Sequence, residues 1–310
     1  MAKVILIGAG AVGTSFLYSA INQGLANEYG IIDVSENGRD GNVLDLEDAI
    51  ASVPKEFKIY AADYDQLDDA DYILIAAGRP QKPEETRLQM VQDNVAIIKE
   101  IARKIKASKF SGITLICANP VDILTYAYLK ATGFPKERVI GSGTVLDTAR
   151  LRVEIAKDIG VSPNSIDNAY VIGEHGDSSV TTFSTITVGG KPLSEWGCKF
   201  TNENYEEKLE RYVARKAYEI INRKRATFYG IGAGMAKILS SIVHDKGDIV
   251  VCGAYLEGEY GFSNIVMGVP CVLNKNGISK IVKIDLNSKE QEKLAASYKI
   301  IEGINKEITF

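Results

Sequence analysis

Three glycines constrain this chain more than any other feature. Gly8, Gly10 and Gly13 form G-x-G-x-x-G directly behind the apolar run 4–7 and open a helix-periodic stretch carrying Val12, Phe16, Ala20 and Ile21. In such a turn the first glycine permits the tight bend and the second lets the backbone approach a pyrophosphate. The third lets the helix pack closely on the strand, and the helix N-terminus favours negative charge. Asp33 stands 20 residues beyond Gly13, at the end of the next apolar run. A carboxylate there can accept both ribose hydroxyls of an adenosine and repel a 2′-phosphate, which selects NAD over NADP. Val12 and Gly78 join Gly8, Gly10, Gly13 and Asp33 as expected cofactor-binding positions. Flavin dinucleotide proteins share the glycine pattern, so these residues alone leave the cofactor class open.

Apolar, β-rich runs at 4–8, 31–34, 58–61, 72–78, 113–119 and 139–143 alternate with helically spaced stretches such as Leu88, Val91, Val95, Ile98 and Ile101. Continuous apolar runs suit parallel strands covered on both faces. Residues 1–143 are therefore predicted to form a doubly wound α/β domain, a parallel-sheet Rossmann unit. The remainder, 144–310, reads as an α+β substrate domain. It has a helix over 149–159, strands over 169–172 and 180–188, a long helical region over 204–244, strands over 249–257 and 265–273 joined to a hairpin by the 274–277 turn, and a closing helix over 288–308. No internal repeat or Pro- or Ser-rich linker separates the halves, so a site between them is expected.

A net charge of −4 argues against a nucleic-acid partner, which normally requires an excess of Lys and Arg. No apolar stretch is long enough to span a bilayer, and the short run after Lys3 does not make a signal peptide; no membrane association and a cytoplasmic location are expected. The four cysteines, Cys117, Cys198, Cys252 and Cys271, form no C-x-x-C pair, so neither a metal site nor a disulfide framework is expected.

Only two histidines occur, and His175 sits in the glycine-flanked segment Gly173-Glu174-His175-Gly176-Asp177 behind a strand. Its ordinary pKa suits a proton donor and acceptor near neutrality, although a turn histidine would look the same. His244, at a helix end, reads as such a turn residue. Asp147 and Arg150 lie three apart on one helix. Thr144 and Asp147 could form a capping box with Arg150 merely pairing Asp147; alternatively Asp147 orients an imidazolium and Arg150 grips a substrate carboxylate. Arg87 closes a turn-rich loop, 78–86, between a strand and a helix, and Asn119 precedes Pro120 at a strand's carboxyl end, where ligands collect in this architecture. Tyr126 and Lys130 show the Y-x-x-x-K spacing of short-chain reductases but without that family's glycine pattern; Tyr126 is expected to pack and Lys130 to be solvated.

Taken together, the segments 7–13, 77–87, 118–122, 141–150 and 171–177 resemble the L-lactate and malate dehydrogenase family along essentially the whole chain, in its bacterial form. The resemblance implies hydride transfer between a nicotinamide and the C2 carbon of a 2-oxo acid. In the matched roles His175 carries the proton, Asp147 supports it, Arg150 binds the carboxylate and Arg87 polarises the carbonyl from a closing loop. Asn119 would hydrogen-bond near the carbonyl, and Thr227 would line the far side of the pocket. Gln81 matches the substrate-deciding position, where malate enzymes carry arginine; a neutral side chain suits pyruvate, because a second carboxylate is costly to bury without a cation. Arg79 and Lys82, in the same loop, are expected to face outward.

Departures from the family pattern are Glu84 and Arg225, both standing where glycine is common. Bacterial relatives are often activated by fructose 1,6-bisphosphate held by an arginine and a histidine. Arg152 matches the first and Asn168 replaces the second, so weak or absent activation is expected. The resemblance also implies a homotetramer. The principal alternatives are a malate or broader L-2-hydroxy-acid dehydrogenase. A non-catalytic dinucleotide-binding protein would need only the glycines and Asp33, and an NAD-dependent glycosidase would need a metal site.

Overall fold

In the computed structural model, residues 2–79 and 84–308 are described, with Arg87 and Cys198 by their backbone alone. The first half runs β1 (Lys3–Ile7), α1 (Ala11–Asn22), β2 (Glu28–Ile32), α2 (Glu36–Glu47), β3 (Lys58–Ala61), β4 (Tyr72–Ile75), α3 (Arg87–Ala107), β5 (Ile113–Ile116), α4 (Val121–Thr132) and β6 (Val139–Gly141). These strands lie in the order β6-β5-β4-β1-β2-β3, all parallel. The order reverses between β1 and β4, and that is where doubly wound sheets open a crevice for ligands. Val4, Ile5 and Leu6 are wholly buried, as are Phe16 and Leu17 on α1, which packs over them. Each such side chain contributes on the order of 2 kcal/mol through burial.

Strand β2 lies earlier than the expected 31–34. Gly30 lets it seat tightly on β1, since a Cβ there would come within 2.4 Å of Ile5 Cδ1. Beyond Ile32 the chain leaves the sheet: Asp33 accepts the N–H groups of Ala9 and Ser35, and Val34 is fully exposed.

The second half runs α5 (Val145–Ile159), β7 (Ile166–Asp167), β8 (Val171–Ile172), β9 (Val180–Thr181), β10 (Thr187–Val188), β11 (Lys191–Pro192), α6 (Glu203–Lys224), α7 (Tyr229–Val243), β12 (Asp248–Glu257), β13 (Ser263–Asn274), β14 (Gly277–Ile281) and α8 (Ser288–Glu307). The hairpin expected at 274–277 joins β13 to β14. Sequence patterning did not reveal which sheet it joins. The antiparallel strands β12, β13 and β14 extend the Rossmann sheet to nine strands, with β12 meeting β6 through Gly253 and Gly141. The backbones approach closely there: a Cβ on Gly253 would lie 3.1 Å from the Gly141 Cα, tighter than Cβ contacts ordinarily are.

Two expected elements are broken. The stretch 180–188 is interrupted at Phe183–Thr185, where the Glu290 carboxylate draws off the Ser184 N–H at 3.0 Å and its hydroxyl at 2.6 Å. The helical region 204–244 divides at Arg225, whose left-handed backbone (φ 73°) ends α6. A smaller core of Leu151, Ile155, Ile166, Val188, Leu209 and Val213 forms under α5 and α6. No helix among the described residues is long and apolar enough to cross a membrane.

Glu84 (φ 67°) and Arg225, the two expected departures, both occupy left-handed backbone, the conformation glycine adopts most readily. Arg225 is exposed at the end of α6, so Arg225→Gly removes strain without opening a cavity. The urea midpoint should rise at unchanged slope, by about 1 kcal/mol in unfolding free energy. A lower midpoint would contradict the strain assignment.

Candidate active site

The expected site residues of the first half stand at the carboxyl ends of parallel strands: Gly8 after β1, Asp33 after β2, Gly78 after β4 and Asn119 after β5. Gly8 (φ 101°) is jammed against the chain leaving β4, where an added Cβ would meet Ala77 N at 2.5 Å. A Cβ on Gly13 would strike Gly8 O at 2.2 Å, whereas one on Gly10 would meet nothing within 4 Å. The loop is thus closed underneath and open above Gly10. No side chain caps α1 there, leaving first-turn N–H groups for an anion. Asp33 Oδ2 accepts the Ala9 N–H at 2.6 Å, which fixes its carboxylate beside the loop with lone pairs to spare for hydroxyls. These residues fit a dinucleotide. Val12 lies half-buried in the first turn of α1, and Gly78 is exposed.

The His175 loop is held through three consecutive N–H groups. Gly173 exchanges two hydrogen bonds of 2.9 Å with Gly268 of β13. Glu174 donates to Ser297 Oγ of α8 at 2.8 Å, and His175 donates to Asp122 Oδ2 of α4 at 2.8 Å. Just upstream, Val171 is pinned to the start of α5: its carbonyl accepts the Thr144 hydroxyl, and its N–H donates to Thr148 Oγ1 at 3.0 Å.

That pinning decides the open reading of Thr144 and Asp147. Thr144 precedes α5 but makes no side-chain cap, so the capping box does not form; its hydroxyl is spent on Val171. Asp147 instead takes His175 Nδ1 at 2.7 Å on Oδ2 and Arg150 Nη1 at 2.9 Å on Oδ1. Pairing with Arg150 and supporting His175 are compatible, because a carboxylate has an oxygen for each. Asp147 is 3% exposed and Arg150 7%, while the His175 side chain keeps 24% of its surface open. An ionised carboxylate only accepts, so Nδ1 donates and Nε2 is the nitrogen free to act.

Burial alone would push the imidazole pKa down; the Asp147 charge and hydrogen bond outweigh it and raise it to about 8. Burial would likewise raise Asp147, but the charges of His175 and Arg150 hold it below the usual carboxylate range. The arrangement can store a proton near neutrality, release it from Nε2 and bind an anion with the remaining guanidinium donors.

Around the 78–86 loop the structure corrects one expectation. Arg79 does not face outward: it donates to Asp93 through Nε at 3.0 Å and Nη2 at 2.6 Å, and to Glu85 through Nη1 at 2.8 Å, with its side chain 19% exposed. Gln81 and Lys82 lie outside the described residues, as does the Arg87 side chain; the Arg87 backbone opens α3 behind a capping box formed by Thr86 and Gln89. Asn119 is exposed, its bond to Pro120 is cis, and its carbonyl accepts from Asn94 Nδ2 at 3.1 Å. Thr227 is half-buried between α6 and α7 and makes no hydrogen bond to the His175 group. Arg152 donates to the Ala169 carbonyl at 3.5 Å, beside Asn168, and lines a cavity of about 450 Å³ with Tyr170 and Lys216. Lys130 stands 5.1 Å over the Tyr126 ring on the flank of α4, and His244 is exposed.

Three supporting residues escaped the sequence reading. Asn94, 1% exposed, joins Arg79 to Asn119; Asp122 and Ser297 hold the His175 loop. Asp122 lies within the 118–122 segment, but its partner is 53 positions away.

Comparison with known proteins agrees with this geometry. The lactate/malate dehydrogenase NAD-binding domain matches residues 2–141, and that family's alpha/beta C-terminal domain matches 144–309. An L-lactate dehydrogenase of Mesomycoplasma hyopneumoniae (strain 232) is 58% identical over 308 residues, covering 97% of this chain and 96% of its own. That of Mycoplasma pneumoniae is 49% identical over 300 residues, covering 96% of each. The ligand-bound crystal structure of a minor L-lactate dehydrogenase from Enterococcus mundtii is similar at a TM-score of 0.97 and 40% identity, covering 100% of this chain and 99% of that one. The chain belongs to the lactate/malate dehydrogenase family. It is an α/β protein with a Rossmann NAD-binding domain.

The raised His175 pKa has a consequence for stability. A histidine that binds its proton more tightly when folded stabilises the protein fully below about pH 6.5, and loses that contribution as pH rises through about 8. Urea unfolding from pH 6 to 9 should show a decline of about 2 kcal/mol from this group. In Asp147→Asn the decline should shrink toward zero while overall stability falls, because Arg150 is left buried without its anion. An equal decline in both proteins would break the assignment.

Proposed function

We propose that the protein interconverts pyruvate and L-lactate with NAD, with His175 as the proton carrier. The observation that carries this reading is the Asp147 carboxylate bridging His175 at 2.7 Å and Arg150 at 2.9 Å beside a dinucleotide fold. The L-lactate dehydrogenase relatives support the same substrate pair. Bound NADH supplies the hydride that reaches C2. In the reduction, Arg150 grips the pyruvate carboxylate and sets C2 before the nicotinamide side of the cleft. Nε2–H of protonated His175 donates to the carbonyl oxygen, and Asp147 stabilises the imidazolium before transfer and holds the neutral ring afterwards. Arg87 polarises the carbonyl, Asn119 hydrogen-bonds beside it and Thr227 lines the far wall. The family match gives Gln81 the position that decides between a methyl group and a second carboxylate. Gly8, Gly10, Gly13 and Val12 would hold the dinucleotide, Asp33 its adenosine ribose, and Gly78 and Asn119 would flank it.

Arg79, already paired with Glu85 and Asp93, is poorly placed to neutralise a second carboxylate, which favours pyruvate over oxaloacetate. NADH oxidation assayed side by side should favour pyruvate over oxaloacetate and branched 2-oxo acids, and Gln81→Arg should raise the oxaloacetate-to-pyruvate ratio of kcat/KM. An unchanged ratio removes Gln81 from specificity. Because reduction needs the protonated ring, kcat/KM for pyruvate should fall above about pH 8 and that for lactate oxidation should rise there.

The same reading makes the protein a cytoplasmic homotetramer that regenerates NAD at the end of fermentative glycolysis. The homotetramer is measurable by sedimentation. Arg152 lacks a histidine partner at Asn168, so fructose 1,6-bisphosphate should leave the pyruvate KM nearly unchanged; a large drop would overturn this.

A further inference from the structure

Asp122 stands in the first turn of α4, 4% exposed. Its Oδ2 accepts the main-chain N–H of His175 at 2.8 Å, and its Oδ1 is buried without a hydrogen-bond partner among the described residues. A buried carboxyl with one idle oxygen is expensive as a purely structural anchor, for which an asparagine or serine oxygen would serve. What it adds is a charge close to the imidazole. We propose that Asp122 is a positioning residue of the reaction, one that holds the His175 main chain and adds its charge to that of Asp147 in fixing how firmly the imidazole keeps its proton. The proposal rests on the reading of His175 as proton carrier.

The groups facing this pair come from three elements. Asp147 and Arg150 approach from α5, Asp122 from α4 and Glu174 from the loop itself. Asp147 and Asp122 strengthen the hold of His175 on its proton, and Arg150 weakens it. Burial pushes the Asp122 carboxyl up to about 7; the His175 N–H and its charge pull it down, and the charges of Glu174 and Asp147 push it further up. Asp122 and His175 therefore titrate in neighbouring ranges, and each ionisation alters the other by the same free energy.

The chain's two histidines make the test direct, because His244 serves as an internal reference for NMR titration of the imidazole carbons and is assigned with His244→Gln. Asp122→Asn keeps an oxygen for the His175 N–H and removes the charge. The His175 midpoint should then fall by about half a pH unit or more with His244 unmoved, and the alkaline limb of kcat/KM for pyruvate should move to the same lower pH. A folded Asp122→Asn, or the smaller Asp122→Ser, with an unmoved His175 midpoint overturns the proposal. A midpoint that moves while the kinetic limb stays put overturns His175 as proton carrier, and with it the part of Asp122 in the reaction. If neither variant folds, the unaltered protein answers: the Asp122 carboxyl and His175 curves should each bend at the other's midpoint, and a single-proton curve for His175 overturns the coupling.

Discussion

The structure depends on one buried anion. Taking a carboxylate out of water costs several kcal/mol unless its lone pairs are used. Asp147 meets that condition by giving one oxygen to His175 and the other to Arg150. The consequence is geometric as well as energetic. With Nδ1 held, the imidazole ring has one orientation and one free nitrogen. With one guanidinium nitrogen held, Arg150 is a preorganised fork that need not surrender rotamer freedom to bind a carboxylate. Because Asp147 lies in the first turn of α5, the helix N-terminus also favours its charge.

Presenting that carboxylate to a histidine 28 positions away requires backbones to approach more closely than side chains ordinarily allow. A Cβ on Gly143 would sit 2.5 Å from Gly253 N, and one on Gly268 would sit 2.3 Å from Thr144 Oγ1. With those atoms absent, β12 and β13 close onto the start of α5, and Thr144 and Thr148 can clasp Val171 just before the loop turns to His175. Beyond Val171, three successive N–H groups bind three different elements, so the loop has little freedom to drift. A side chain held this firmly keeps the half-ångström placement that the proposed proton transfer requires.

Legibility followed sequence distance. Gly8, Gly10, Gly13 and Asp33 act through the strand, turn and helix in which they stand, and their pattern is readable locally. Asp147 and Arg150 were visible as an i,i+3 pair, yet the choice between capping and site lay with Val171, whose carbonyl takes the Thr144 hydroxyl. Nothing local announces that Ser297 will bind a residue 123 positions earlier. The joining of β12 to β6 was equally hidden, since Gly141 and Gly253 look like ordinary strand glycines until they meet. The early start of β2, where Gly30 seats on Ile5, is a tertiary effect as well.

Charge balance joins the scaffold to specificity. Asp147 neutralises part of Arg150 and raises the proton affinity of His175, so under the proposed function the pair offers roughly the positive charge that one substrate carboxylate and a developing alkoxide require. A second carboxylate would need another cation. Arg79, two positions from Gln81, is held by Glu85 and Asp93, and swinging it away would break both ion pairs. Under the proposed function, discrimination between a methyl group and a carboxylate then falls to the neutral Gln81 and not to Arg79.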